Sequence, residues 1–213
     1  MFQYTVWKKS FDQCGFKSPE EAINRIKLSG PFLNEIIELL ELRLDKIDFL
    51  DSPVNVGFDC PLDLHCNYTR DQILVAMDID SPENMREGVK YIPKWKIDLL
   101  FVTLNKKEGD YTPTTLYEDY SINDTLFHWQ SQSTTSVDSK TGRRYINHKE
   151  YGSKVLLFVR ENKEDKTGAF PYTFLGTVEY YSHEGSRPMN IIWKLKNPIP
   201  GKYLEVSNSL LSS

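Results

Sequence analysis

The stretch Thr114–Gln132, TTLYEDYSINDTLFHWQSQ, constrains the fold of this chain more than any other. Two alternating runs, Leu116–Ser121 and Thr125–Ser131, flank the turn formers Asn123 and Asp124, so the spacing predicts a β-hairpin. Its large side chains are the aromatics Tyr117, Tyr120, Phe127 and Trp129, not the Val, Ile and Leu that dominate plain core strands. Among them stand Glu118, Asp119, His128, Gln130 and Gln132, which can donate or accept hydrogen bonds. Such a set suits a pocket that stacks a flat ring and reads its edge. It also suits a half-buried pleated surface, on which Tyr and Trp pack well.

Further strands surround the hairpin. Ile97–Leu104 is strongly apolar and runs into the turn Asn105-Lys106-Lys107-Glu108-Gly109, while Lys154–Arg160, Tyr172–Tyr181 and Asn190–Lys196 supply three more. Closing these strands into a barrel would remove exposed edges. Ser133–Tyr151 is long, polar and glycine-punctuated, too long for an idle loop in a compact domain. From Glu205 the chain reads as a polar end.

The front of the chain is different. The first 17 residues carry aromatics in no clear period and read as an ordered arm. Ser18-Pro19-Glu20-Glu21 is a helix start, with Ser as N-cap, and the helix should run to about Leu28 before Gly30. Pro31 opens a second helix with Phe32, Ile36, Leu39, Leu40 and Ile47 as its apolar stripe, which wants a partner. Asp51–Cys60 reads as a linker, and Thr69-Arg70-Asp71-Gln72 as a second capping box that starts a helix reaching about Met77. The fold class is therefore α+β, a helical front followed by a mostly-β barrel.

Several function classes are disfavoured. No GxxxxGK[ST] loop, GxGxxG turn or GxSxG elbow occurs. Cys14, Cys60 and Cys66 form no zinc-type pairs, and their odd number fits a reducing, cytoplasmic setting without disulfides. No run approaches the roughly 18 apolar residues of a membrane span. The net charge of −4 is unevenly placed. Residues 1–60 carry seven Lys/Arg against ten Asp/Glu, whereas residues 136–160 carry six against two. That basic segment is either a solvated loop or an anion-binding one. Glu161-Asn162-Lys163 after an apolar strand has the Glu-x-Lys form of metal-dependent nucleases, with Asp119 as a possible partner, but it lies in the charge-rich turn RENKEDK.

From Asn67-Tyr68-Thr69-Arg70, through LLFVTLNKKEGDYTPTTLYEDYSINDTLFHWQSQSTT, to FLGTVEYYSHEGSRPMNIIWKLKNPIP, the chain resembles the C-terminal domain of SauUSI-type, methyl-dependent (type IV) restriction enzymes. In fold the domain resembles SRA/PUA-like barrels, of which SRA domains flip 5-methylcytosine out of DNA. Tyr117-Glu118-Asp119-Tyr120 is similar to the family's Tyr-Glu-Asp-Asp turn, and His128-Trp129-Gln130 stands at the same twelve-residue offset as its aromatic strand. Gly176 is similar to the family's later Gly-x-Tyr strand. The resemblance implies a base pocket of Tyr117, Asp119, Tyr120, Trp129 and Gln130, with Tyr117 and Trp129 as the two faces of a sandwich. Tyr120 replaces the aspartate that accepts from the cytosine amine, which passes that role to Asp119 or a backbone group. The family's DNA-penetrating loop corresponds in position to residues 136–148, so Lys140, Arg143, Arg144 and Lys149, with Lys106 and Lys107, become the expected backbone or intercalating contacts.

The resemblance divides the chain into a helical coupling segment at residues 1–58, an SRA-like domain at 59–206 and a tail at 207–213. It implies a bacterial, cytoplasmic, non-catalytic recognition module that needs no cofactor. Its partners would be double-stranded DNA with a modified cytosine and the helicase and nuclease domains of a longer parent chain, of which this would be a fragment. Two alternatives stay open: a metal-dependent nuclease centred on Glu161 and Lys163, and a protein-interaction module whose aromatic hairpin is core.

Overall fold

The protein's structure, a computed structural model, describes residues 1–9, 11–44, 52–105, 119–165 and 168–211. The first 17 residues are not an irregular arm. They form α1 (Phe2–Trp7) and α2 (Phe11–Cys14), tied down where the buried Tyr4 hydroxyl donates to Asp71 Oδ2 at 3.4 Å. The cap of α3 (Pro19–Lys27) is as the sequence predicts, with Ser18 Oγ accepting from the Glu21 N–H at 3.3 Å. In α4 (Gly30–Leu44) the side chains of Leu39, Leu40, Leu42 and Leu44 are exposed; Ile47 of the expected stripe lies outside the described residues.

The expected linker at 51–60 is instead packed. Val56 and, just after it, Leu62 are fully buried, the Leu64 N–H donates to Ser52 O at 2.9 Å, and Pro53 bridges Asp63. Burial of these two apolar side chains outweighs the turn formers between them. There follow β1 (Asn67–Tyr68) and α5 (Arg70–Ala76), whose Thr69–Gln72 capping box is formed on both sides. The remaining elements are β2 (Val89–Ile92), β3 (Ile97–Thr103), β4 (Tyr120–Ser121), β5 (Leu126–Gln130), α6 (Lys140–Ile146), β6 (Lys154–Arg160), β7 (Glu164–Asp165), β8 (Gly168–Ala169), β9 (Tyr172–Glu184), β10 (Asn190–Leu195) and α7 (Gly201–Leu211).

The main sheet has eight strands in the order β2-β3-β6-β9-β10-β5-β4, with β1 also paired to β9. β3 and β6 run parallel, from Ile97↔Lys154 to Thr103↔Arg160, and the other pairings are antiparallel. Every residue of β3 is buried, as a parallel strand covered on both faces requires. On one face Leu100, Val102, Leu157, Leu175, Trp193 and Trp129 share a core with Tyr145 of α6 and Tyr203 of α7. On the other, Leu99, Phe101, Leu156, Phe158 and Phe174 pack under Ile73 and Leu74 of α5. Gly176, at φ +90°, sits where the β6–β9 register shifts, a bulge that bends the sheet.

The fold is α+β, but among the described residues the sheet does not close into a barrel. Its ends are β2 and β4, of four and two residues. Short edges with a helical cover need no closure. Here α7, not a polar tail, supplies that cover: its buried Ser207 Oγ accepts from the Ser121 N–H at 2.8 Å.

The expected loop at 133–151 contains α6. Ser139 Oγ caps it through the Gly142 N–H at 3.0 Å, and a Cβ on Gly142 would overlap the Ser136 carbonyl. After this helix His148 is pinned between elements: its Nδ1 lies 3.3 Å from Ser153 O, and its Nε2 accepts from the Tyr180 N–H at 3.1 Å. Burial lowers its pKa, and the acceptor role of Nε2 requires the neutral ring. Because the folded value lies below the unfolded value of about 6.5, stability is complete above that pH and is lost as pH falls through the folded value. Denaturant unfolding of wild type and His148→Gln, between about pH 7.5 and about pH 5, should show a shallower acid loss in the variant, by up to ~1.4 kcal/mol per pH unit where only the unfolded His titrates. Equal slopes would remove His148 from the acid response.

Candidate functional site

A cavity of about 400 Å³ is lined from both ends of the sheet. Val89 of edge strand β2 lies on one side, and Trp129 and Gln130 of β5, with Asp119 just before edge strand β4, lie on the other. The alternation of β5 buries Phe127 and Trp129 and leaves His128 and Gln130 half-buried. Gln130 is fixed twice. Its backbone N–H donates to Asp119 Oδ1 at 2.9 Å, and its Nε2 donates to Oδ1 of its cross-strand partner Asn190 at 2.9 Å. The hairpin thus presents a buried carboxylate, an oriented amide and an indole to one hollow.

The opposite wall is made of cations on aromatic rings. The Arg70 guanidinium lies 4.3 Å from the Phe101 ring centroid, and Arg160 lies 4.4 Å from that of Tyr172. The two rings meet edge to face at 5.3 Å. Backbone carbonyls hold both arginines: Arg70 Nε donates to Met85 O at 3.0 Å and its Nη2 to Glu87 O, while Arg160 Nε donates to Thr103 Oγ1 at 2.9 Å and its Nη1 to Phe170 O at 3.3 Å. Burial lowers the Arg70 pKa, the Arg160 charge acts in the same sense, and Tyr172 opposes both. With Arg86 and Lys163 the lining has four cationic side chains against Glu87 and Asp119. The hollow therefore favours an anionic ligand carrying a flat polar group.

Of the expected base pocket, Asp119, Trp129 and Gln130 are brought together here. Tyr117 lies outside the described residues, as do Lys106 and Lys107. Tyr120 is not in the lining; it stacks on its cross-strand neighbour His128, with centroids 4.7 Å apart and planes 14° off parallel. Trp129 is 4% exposed and meets Tyr145 edge-on at 5.4 Å and Trp193 at 6.2 Å, so most of its ring serves the core.

The expected DNA-penetrating loop is the α6 region, and none of its basic residues lines the cavity. Arg144 Nε and Nη2 donate to the two oxygens of the fully buried Asp98 at 2.7 and 2.8 Å, and its guanidinium covers Tyr91 at 3.9 Å. Burial works against the Arg144 charge, but the Asp98 fork more than offsets it and raises the guanidinium pKa. Lys140 is exposed, Arg143 approaches Asp138 at 3.7 Å, and Lys149 pairs with Glu179 at 2.7 Å. Lys163 of the nuclease alternative lines the cavity while Glu161 does not, and among the described residues no group of three potential metal ligands occurs.

Sequence reasoning missed Arg70, Phe101 and Tyr172. Arg70 reads as a helix-start residue and the other two as core, and only the strand order brings them together with Arg160. Arg144→Ala should leave Asp98 as an unpaired buried charge and destabilise the fold by ~3–5 kcal/mol in urea unfolding, whereas Lys140→Ala should change stability by less than about 0.5 kcal/mol. A small effect at Arg144 would return that side chain to the pool of possible ligand contacts.

Among curated proteins, none matches the chain. Residues 62–206 match the family model described as a domain of unknown function, DUF3427, a span that takes in β1 to β10 and every residue lining the cavity. The chain belongs to this DUF3427 family.

Proposed function

We propose that this domain is an SRA-like, non-catalytic reader of double-stranded DNA containing 5-methylcytosine or a related modified cytosine. The base turns out of the helix into the cavity between β2 and β5. The observation that carries this reading is the convergence of Asp119, Trp129 and Gln130, chosen from the sequence as base-pocket residues, on one cavity with a cationic lining. In this role Asp119 and Gln130 meet the polar edge of the ring and Trp129 supplies an apolar wall. Extruding a base costs a few kcal/mol, and stacking on aromatics returns about 1–3 kcal/mol, so phosphate contacts must contribute the rest. A methyl group in a fitted apolar pocket is worth only about 1–3 kcal/mol, so discrimination is moderate. In the same proposal the reader directs helicase and nuclease domains of a bacterial, cytoplasmic restriction enzyme, with the helices of residues 1–44 as the coupling part.

The test is fluorescence-polarisation binding of the full chain to two duplexes that differ only in 5-methylation of one cytosine. We expect about tenfold tighter binding to the methylated duplex, equivalent to about 1.4 kcal/mol. Gln130→Ala should lower that ratio with little change in melting temperature. Trp129→Ala is a poorer probe, because removing an indole from this core costs about 3–5 kcal/mol of stability. Equal affinity for the two duplexes at every site tried would sink the methyl-reading proposal.

A further inference from the structure

The wall Arg70–Phe101–Tyr172–Arg160 plays no part in reading a base edge, yet it is the most strongly organised side of the cavity. Two guanidiniums and two rings form one continuous unit, with cation-to-ring distances of 4.3 and 4.4 Å and a ring-to-ring distance of 5.3 Å. Each arginine spends its Nε and one terminal nitrogen on protein acceptors, of which three are backbone carbonyls. Those bonds fix the planes of the guanidiniums, and with the Tyr172 hydroxyl as a further partner of Arg70 they take, among the described residues, fewer than the five N–H groups that each arginine carries. Placing two like charges on one partly buried wall costs free energy that an anion between them would recover. Planar forks held in advance match the oxygens of a phosphate, and they lose little entropy on binding it. The carboxylates of the lining compete for that role: Asp119 accepts from the Gln130 N–H, and Glu87, whose backbone carbonyl holds Arg70, also offsets part of the Arg70 charge.

We infer that Arg70 and Arg160 form a phosphate subsite of this cavity, so that its ligand is a nucleotide bearing a phosphate and not a bare base or nucleoside. The inference deepens the reading under Proposed function and rests on it for the base, but the anion chemistry stands on the wall alone. The phosphate can come from a DNA strand beside the extruded base or from a free mononucleotide.

Isothermal titration of the full chain separates these cases with six probes: inorganic phosphate, 5-methyl-deoxycytidine, 5-methyl-deoxycytidine 5′-monophosphate, deoxycytidine 5′-monophosphate, a methylated duplex and its unmethylated counterpart. We expect the monophosphate to bind at least tenfold tighter than the nucleoside. Arg160→Gln should abolish that gain and Arg160→Lys should keep part of it. The variant duplex affinity should also show a log–log salt slope smaller by about 1, as loss of one phosphate contact requires. Tighter binding of the duplex than of the monophosphate assigns the phosphate to a DNA strand, and the reverse assigns it to a free nucleotide. Monophosphate or phosphate binding with no preference for the methylated base keeps the subsite and overturns the base reading. Equal affinity for nucleoside and monophosphate, an unchanged salt slope in Arg160→Gln, or no binding of the phosphate-bearing probes overturns the subsite.

Discussion

Burial of both faces of the parallel β3–β6 pair is the constraint on which the rest of the structure depends. A parallel pair cannot be joined by a tight turn, so the chain must travel from Thr103 to Lys154 before it returns beside β3. That excursion holds β4, β5 and α6, and it is where the hairpin and half of the cavity are built. Because Ile97–Thr103 and Val155–Val159 present apolar side chains to both sides, each face needs its own cover. α6 and α7 cover one face and α5 with the 52–66 segment covers the other. The helical cover of the second face starts at a capped Thr69, which places Arg70 beside Phe101.

The cavity follows from how the sheet ends. Its two edge strands do not pair with each other, and the Ser207 hydroxyl of α7 accepts from the Ser121 N–H of β4. The side chains that would have been interior to a closed barrel at that point line a hollow reachable from solvent. This explains its mixed chemistry. Trp129 on one side of the cavity belongs to one core, and Phe101 and Tyr172 on the other belong to the second. Polar groups at the ends of β5 and β6 turn a gap between two apolar layers into a site with oriented donors and acceptors.

Strands were legible in the sequence because both faces of the central ones are apolar: KVLLFVR is β6 to the residue, and the Ile97 run loses only Leu104. Both helix starts were legible because the cap chemistry is local: Ser18 and Thr69 each cap through their side chains, the second in a full capping box with Gln72. The elements that escaped have physical reasons. α6 carries a glycine at a position where helix propensity argues against a helix and only contact with the Ser136 carbonyl demands one. α7 reads as a polar end because its buried Ser207 is a hydrogen-bond acceptor for β4, not part of an apolar stripe. Val56 and Leu62 read as linker and its border because two buried side chains in eleven residues make no period. In the site, the hairpin's contribution was legible since Asp119, Trp129 and Gln130 lie within twelve residues, while the arginine wall draws on positions 70, 101, 160 and 172. The basic cluster at 136–160 was readable as charge but not as partners. Arg144 is spent on Asp98 and Lys149 on Glu179, so only Arg160 of that segment reaches the cavity.

In the proposed reader the two walls would divide affinity from specificity. Contacts to phosphate are indifferent to the base, so the Arg70–Arg160 side of the cavity can supply binding energy that is common to every sequence. The Asp119–Gln130 side offers a carboxylate and an amide, fixed by hydrogen bonds and the β5–β10 register, that in the same proposal would distinguish one ring edge from another. The arginine wall is held by backbone carbonyls of the segments before β2 and β9 and by the Thr103 hydroxyl of β3, whereas the Asp119–Gln130 side is held by side-chain hydrogen bonds next to a two-residue edge strand. Under that proposal a change of base preference would require altering only Asp119, Gln130 or their neighbours, with the arginine wall and both cores left in place.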